Sequence, residues 1–203
     1  MKIRLKISIF GILMILVLLF GDSYKYTVIA LTAALVHELG HILSALILKM
    51  KINSFSIDLL GARLGVSLPM YSYKKELILS AAGPAANIVF GAFSIYIYNK
   101  SNVPEAMSEY LLFFPIACFF LALLNLLPVK GFDGGRIFVC ISAPICGIYF
   151  SEKWLIRLSF LFIFILWTVS VYLMLKIGAS LTLFAFSSAL FTELFINADY
   201  FKR

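Results

Sequence analysis

The chain has 203 residues, of which 63% are apolar and 13% charged, and its mean hydropathy is +1.02. A soluble domain carries about 45–50% apolar and about 25% charged residues. A water-facing globule, a disordered tail and a fibrous repeat are therefore excluded, and the net charge of +7 is that of a membrane protein with Lys and Arg on its cytoplasmic loops, not of a nucleic-acid binder.

Six hydrophobic segments follow one another, at about 5–20, 26–48, 76–98, 110–127, 154–175 and 179–197. Each is close to the length of about 20 residues that a spanning helix needs. The expected fold class is an all-α polytopic membrane protein with about six transmembrane helices, forming one domain over 1–203. The first run ends at Gly21-Asp22-Ser23, a turn without a cleavage pattern, so it is expected to be a retained span and not a signal peptide. Cys118, Cys140 and Cys146 lie in apolar runs without zinc-type doublets and read as reduced, structural thiols.

Residues 49–75, between spans two and three, alternate apolar and polar in part and carry Gly61 and Gly65 near their middle. The pattern predicts a small β-hairpin or sheet, with strand-like chain at 52–68. Open strand edges cannot face lipid, so this element belongs at the interface or in a wet cavity.

Six spans put both termini on one side. With the termini inside, only Lys25, Lys100 and Lys176 of the 17 Lys and Arg residues fall outside. That bias places the termini and 49–75 in the cytoplasm.

The two histidines, His37 and His41, sit in span two within Ala34-Leu35-Val36-His37-Glu38-Leu39-Gly40-His41-Ile42. Residues i and i+4 lie about 40° apart around a helix, one turn above each other. Two imidazoles so placed can converge on one metal ion with Glu38 beside them. Zinc suits such a pair, because it accepts neutral imidazole and tolerates an open fourth position. A carboxylate inside an apolar span is costly and points to function. His41 lies seven residues and His37 eleven from the inner end of span two, roughly 10–16 Å deep at 1.5 Å per residue.

A catalytic zinc needs a third protein ligand. Among the ten carboxylates Asp22, Glu105 and Glu109 fall on the wrong side, whereas Asp133 follows Asn125-Leu126-Leu127-Pro128-Val129-Lys130-Gly131-Phe132 and precedes Gly134-Gly135-Arg136. Pro128 ends the fourth span and the glycines permit irregular backbone. Such backbone at membrane depth is tolerated only where it is buried or lines a cavity. Asp133 is a candidate ligand; the alternative is an N-cap for a helix over 134–149. In span three, Ala81-Ala82-Gly83-Pro84-Ala85-Ala86-Asn87 carries small residues suited to close helix packing. Asn87 there is either a structural hydrogen-bonding group or a donor that positions substrate. Glu193, near the end of span six, reads as an interfacial or gate residue.

Together these segments resemble the site-2 protease family of intramembrane zinc metalloproteases. His37-Glu38-Leu39-Gly40-His41 matches the family's HExxH. Gly83-Pro84-Ala85-Ala86-Asn87 matches its GPxxN, and Asn125-Leu126-Leu127-Pro128 with Asp133-Gly134-Gly135 matches its NxxPxxxxDGG. The resemblance covers about 30–135, and the compact layout is similar to the branch that includes the stage IV sporulation factor proteases. It implies zinc held by His37, His41 and Asp133, Glu38 as general base, and Asn87 holding substrate or the oxyanion. It implies a membrane-associated protein substrate, cut in or near a transmembrane segment, in a bacterial cytoplasmic membrane. That same branch often carries a C-terminal nucleotide-binding module and another branch a PDZ insertion; neither has a counterpart in this sequence, so regulation through them is not carried over. A membrane metal transporter and a scaffold without catalysis are the alternatives. A transporter usually spreads its ligands along a path in a repeated architecture, and a scaffold has no use for Glu38.

Overall fold

The computed structural model describes residues 4–7, 24–58, 61–67, 72–100, 104–177, 184 and 186–192. They fall into two compact units, Met1–Leu126 and Leu127–Arg203.

In the first unit the elements run β1 (Arg4–Ile7), α1 (Tyr24–Ile47), β2 (Lys51–Asp58), β3 (Gly61–Ser67), α2 (Tyr73–Lys100) and α3 (Glu105–Asn125). Strand β1 pairs in parallel with β2, Leu5 opposite Phe55. β2 pairs antiparallel with β3, Phe55 opposite Leu64, with an irregularity between Ile52 and Ser54. The first span was expected from about residue 5, so the strand at Arg4–Ile7 corrects its start. The cause is visible in Lys2-Ile3-Arg4-Leu5-Lys6-Ile7, where charge and aliphatic side chain alternate with the period of a strand.

Helix α1 has two faces, although it is apolar almost throughout. Ile29, Ala33, His37, His41 and Ala45, spaced by four, are buried, while Leu31, Leu35, Leu39 and Leu43 form an exposed stripe. In lipid an outward leucine stripe carries no penalty, and packing selects the inward one. Ile29 and Ala33 meet Phe114 and Cys118 of α3 in one cluster, bordered by Val36, Tyr110 and Phe113. Ala45 meets Met50 and Leu79 in another. The Tyr110 hydroxyl donates to Thr32 Oγ1 at 2.7 Å, and Ser94 of α2 donates to the Leu111 carbonyl at 3.2 Å. At one end, Lys25 and Glu109 form an exposed ion pair at 2.9 Å. At the other, Lys49 turns left-handed at φ 53°, so that the Met50 N–H donates back to the Ala45 carbonyl at 2.9 Å. This closes the helix and frees the chain for β2.

The second unit holds α4 (Asp133–Cys146) and α5 (Ile148–Ile177), packed on each other. Gly147 alone separates them, at a φ of 84° that glycine accepts without strain. The helix expected over 134–149 is thus α4, and the fifth span begins earlier than 154, at Ile148. Residues 184 and 186–192 are helical, and Ser187 meets Ser170 of α5 by a buried 2.8 Å hydroxyl contact.

Four of the described helices are long and apolar enough to cross a membrane: Lys25–Ile47, Tyr73–Lys100, Met107–Asn125 and Ile148–Lys176. They correspond to expected spans two to five. Helix α4, at 14 residues, reaches about 21 Å, short of a hydrocarbon core of about 30 Å. Most of expected spans one and six, Glu193 and both chain ends lie outside the described residues.

Candidate metal centre

The centre is built where the buried stripe of α1 meets the buried stripe of α2. On α2 the inward residues Leu79, Gly83, Asn87 and Gly91 repeat every fourth position, which lines them along one face. The two helices approach closely because small residues meet. A Cβ on Gly40 would stand 2.6 Å from the Ala82 carbonyl oxygen and 2.8 Å from Ala86 Cβ, closer than carbon tolerates. Of the four alanines expected to pack, Ala82 and Ala86 thus stand at the crossing, while Ala85 is exposed.

That approach puts polar groups of α2 against both imidazoles. His41 Nδ1 lies 2.8 Å from the Leu79 carbonyl oxygen. A carbonyl only accepts, so Nδ1 carries the proton and Nε2 of a neutral His41 carries a lone pair. Pro84, inside α2, has no N–H for the carbonyl four residues back, so this stretch of α2 lacks one rung of its hydrogen-bond ladder. Asn87 is fully buried, and its amide lies 3.3 Å from His37 Nδ1. Each histidine therefore has its Nδ1 engaged by α2.

The two Nε2 atoms face each other at 3.2 Å, with the rings nearly perpendicular at 82°. Two nitrogens each about 2.0–2.1 Å from a tetrahedral zinc are about 3.3 Å apart. The spacing of the two nitrogens fits a zinc ion. Gly83 lines the same spot: a Cβ there would overlap His41 Nε2 and stand 2.7 Å from His37 Nε2. Glu38, next to His37 on α1, is half-buried.

In the second unit, Asp133 is the first residue of α4 and is buried. The N-cap position belongs to Phe132, in extended conformation and without a side-chain cap bond. Asp133 is thus inside the helix, where the positive end of the helix dipole favours its carboxylate, and the N-cap alternative is not met. The preceding loop is held by local contacts. Gly131 has a φ of 102°, the Lys130 N–H donates to Ser159 Oγ at 2.8 Å, and the Phe132 N–H donates to the Val129 carbonyl at 3.1 Å. Gly135 packs its bare Cα on that same carbonyl, which a Cβ would overlap.

Sequence reasoning singled out His37, Glu38, His41, Asn87 and Asp133. It assigned no role to the Leu79 carbonyl or to Gly83. A carbonyl belongs to every residue and leaves no signature. Gly83 had one, its place four residues before Asn87 on the inward face.

Neither a protein-family model nor a curated protein matches the chain. Among solved structures it is similar to the site-2 protease from Methanocaldococcus jannaschii, with a TM-score of 0.67 at 20% identity, over 96% of this chain and 90% of that one. The chain has the fold of that protease and is an integral membrane protein by its four apolar helices.

Proposed function

We propose that the chain is an intramembrane zinc metalloprotease that hydrolyses a peptide bond in or near a transmembrane segment of a membrane-associated protein. The observation that carries this reading is the pair of histidine Nε2 atoms 3.2 Å apart, buried in an apolar helix beside a carboxylate. The likeness in fold to a site-2 protease supports it.

In this reading His37, His41 and Asp133 hold one zinc ion, two neutral imidazoles and a carboxylate being donors that zinc accepts. Zinc supplies Lewis acidity there, bringing the pKa of water towards about 7 and polarising the peptide carbonyl. Glu38 accepts a proton from the attacking water at a carboxylate oxygen. The water oxygen bonds to the carbonyl carbon, the C–N bond breaks, and Glu38 returns the proton to the leaving nitrogen. The Leu79 carbonyl keeps the His41 ring in one tautomer and orientation, as partners of ligating histidines do. Asn87 contributes on the α2 side, towards substrate or the developing oxyanion. Water reaches Glu38 from the cytoplasmic side, the nearer face.

The proposal extends to topology. The whole chain acts as one domain of six spans in a bacterial cytoplasmic membrane, with both termini in the cytoplasm. An unwound substrate segment would add to β3, an edge strand of the sheet β1-β2-β3, a common way to hold extended peptide.

The test is cleavage. Purified protein in lipid vesicles is incubated with tagged single-span membrane proteins, beside the Glu38→Gln variant. Products that appear with the parent protein and not with the variant support the protease. A metal transporter would move zinc across the vesicle membrane in both, with no product.

A further inference from the structure

The contacts among Leu79, His41, His37 and Asn87 form one row, and its proton order decides whether a metal can bind. Asn87 Nδ2 lies 3.3 Å from His37 Nδ1. His37 Nε2 lies 3.2 Å from His41 Nε2, and His41 Nδ1 lies 2.8 Å from the Leu79 oxygen. The last contact is fixed, since the carbonyl can only accept. Two orders of these three contacts are then open to neutral rings. In the first, the Asn87 NH2 donates to His37 Nδ1, and His37 Nε2–H donates to His41 Nε2. Every link is a hydrogen bond, but His37 Nε2 has its lone pair blocked by a proton. In the second, the amide is turned by 180°. Asn87 Oδ1 accepts from His37 Nδ1–H, and both Nε2 atoms, which lie beside the position that a Cβ on Gly83 would take, keep their lone pairs.

Amide oxygen and nitrogen are nearly the same size, so this turn costs no packing. Asn87 is 0% exposed, and in the first order its Oδ1 is buried with no hydrogen-bond partner among the described residues. That orientation is therefore not locked by a bond at the oxygen. Nothing resembling this choice exists at His41, whose backbone partner cannot reverse.

We infer that Asn87 is the positioning residue of His37: its Oδ1 accepts the Nδ1 proton and holds the tautomer that ligates metal, and without metal the amide reverses and the two histidines bond each other. This rests on the zinc reading of the His37–His41 pair. The role differs from donation to substrate, because it acts through a ligand and is required before any substrate arrives.

The experiment uses the full chain in detergent micelles and zinc alone as probe, with competition by a chromophoric chelator. Asn87→Leu keeps the volume and removes the acceptor, and zinc affinity should fall about 10–100-fold, the usual cost of losing such a partner. Asn87→Asp keeps an oxygen towards Nδ1, and affinity should stay within about threefold of the parent. Thermal midpoints in excess chelator report folding separately. The chain has only two histidines, so 15N labelling of histidine gives a spectrum of two rings. In the zinc-loaded protein both should be protonated at Nδ1, and on chelation His37 alone should move its proton to Nε2. This readout needs no variant. The inference is overturned by unchanged affinity in Asn87→Leu, by equal losses in Asn87→Leu and Asn87→Asp, or by a His37 tautomer that ignores zinc. If the parent binds zinc and His37→Ala does not, those results reject the role of Asn87 alone. If His37→Ala binds zinc as the parent does, the metal reading itself fails.

Discussion

The Cα of Gly83 lies against the Nε2 of His41 so closely that no side chain fits between them. The nitrogen concerned is the one left with a lone pair by the 2.8 Å bond from Nδ1 to the Leu79 carbonyl. A glycine of α2 therefore guards the lone-pair face of a histidine of α1. Gly83→Ala should push both imidazoles off the converging geometry. We expect zinc affinity to fall at least ~10-fold, as for other losses of ligand orientation. Gly91→Ala is the matched control on the same face, where the added carbon would stand 3.2 Å from Cys118 Cβ and the Phe119 ring. It should change the melting temperature and not the zinc affinity. Equal zinc affinity in Gly83→Ala and the parent would show that the metal lies elsewhere.

Metal content is the next prediction. The purified parent should carry one zinc per chain, removable by chelator and restored by added zinc. His37→Ala and Asp133→Ala should each lose it, since a catalytic zinc site has three protein ligands. Elemental analysis of the three proteins decides this, and full zinc content in Asp133→Ala would remove the carboxylate from the set.

Glu38→Gln separates chemistry from binding. The amide has nearly the same shape and leaves the histidines and Asp133 in place, so zinc should stay. Proton transfer is lost, and turnover on a membrane substrate should fall by about 10²–10⁴-fold. Cleavage near the parent rate would mean that any bound zinc is structural.

Orientation is tested by cysteine labelling in intact cells. Cys118 and Cys140 are buried and Cys146 is exposed, so Cys146 is first replaced by Ser. A single cysteine introduced within 99–103 should react with an impermeant reagent from outside, and one within 72–75 only after permeabilisation. The reverse pattern would overturn the charge-based orientation, and with it entry of water from the cytoplasm.

Much of this protein is written in local pattern. The long apolar runs produce α1, α2, α3 and α5 because in lipid every backbone group must bond within its own segment, and helix ends then follow from the length of each run. The pairing of His37 with His41 follows from helical pitch alone. Where the reading missed, a local signal had been outweighed. The alternation in Lys2–Ile7 is strand-like, but it adjoins a long apolar run that absorbed it. The start of α5 at Ile148 was missed because Gly147 reads as an ordinary break, whereas at φ 84° it is a one-residue corner between two helices.

What sequence could not determine is which groups of α2 touch the histidines. The spacing in Gly83-Pro84-Ala85-Ala86-Asn87 puts Gly83 and Asn87 on one face of a helix, but a face has no partner until two helices cross. The crossing is set by Gly40 lying on the Ala82 carbonyl, a contact between residues more than 40 positions apart. Only then does the Leu79 carbonyl meet His41, and only then does the Asn87 amide meet His37. Sequence thus determined the candidate ligands, through types and spacing that metal chemistry demands. Tertiary structure decided which groups face the Nδ1 atoms of His37 and His41, and a tautomer is fixed by whatever hydrogen-bonding group packing brings to the other ring nitrogen.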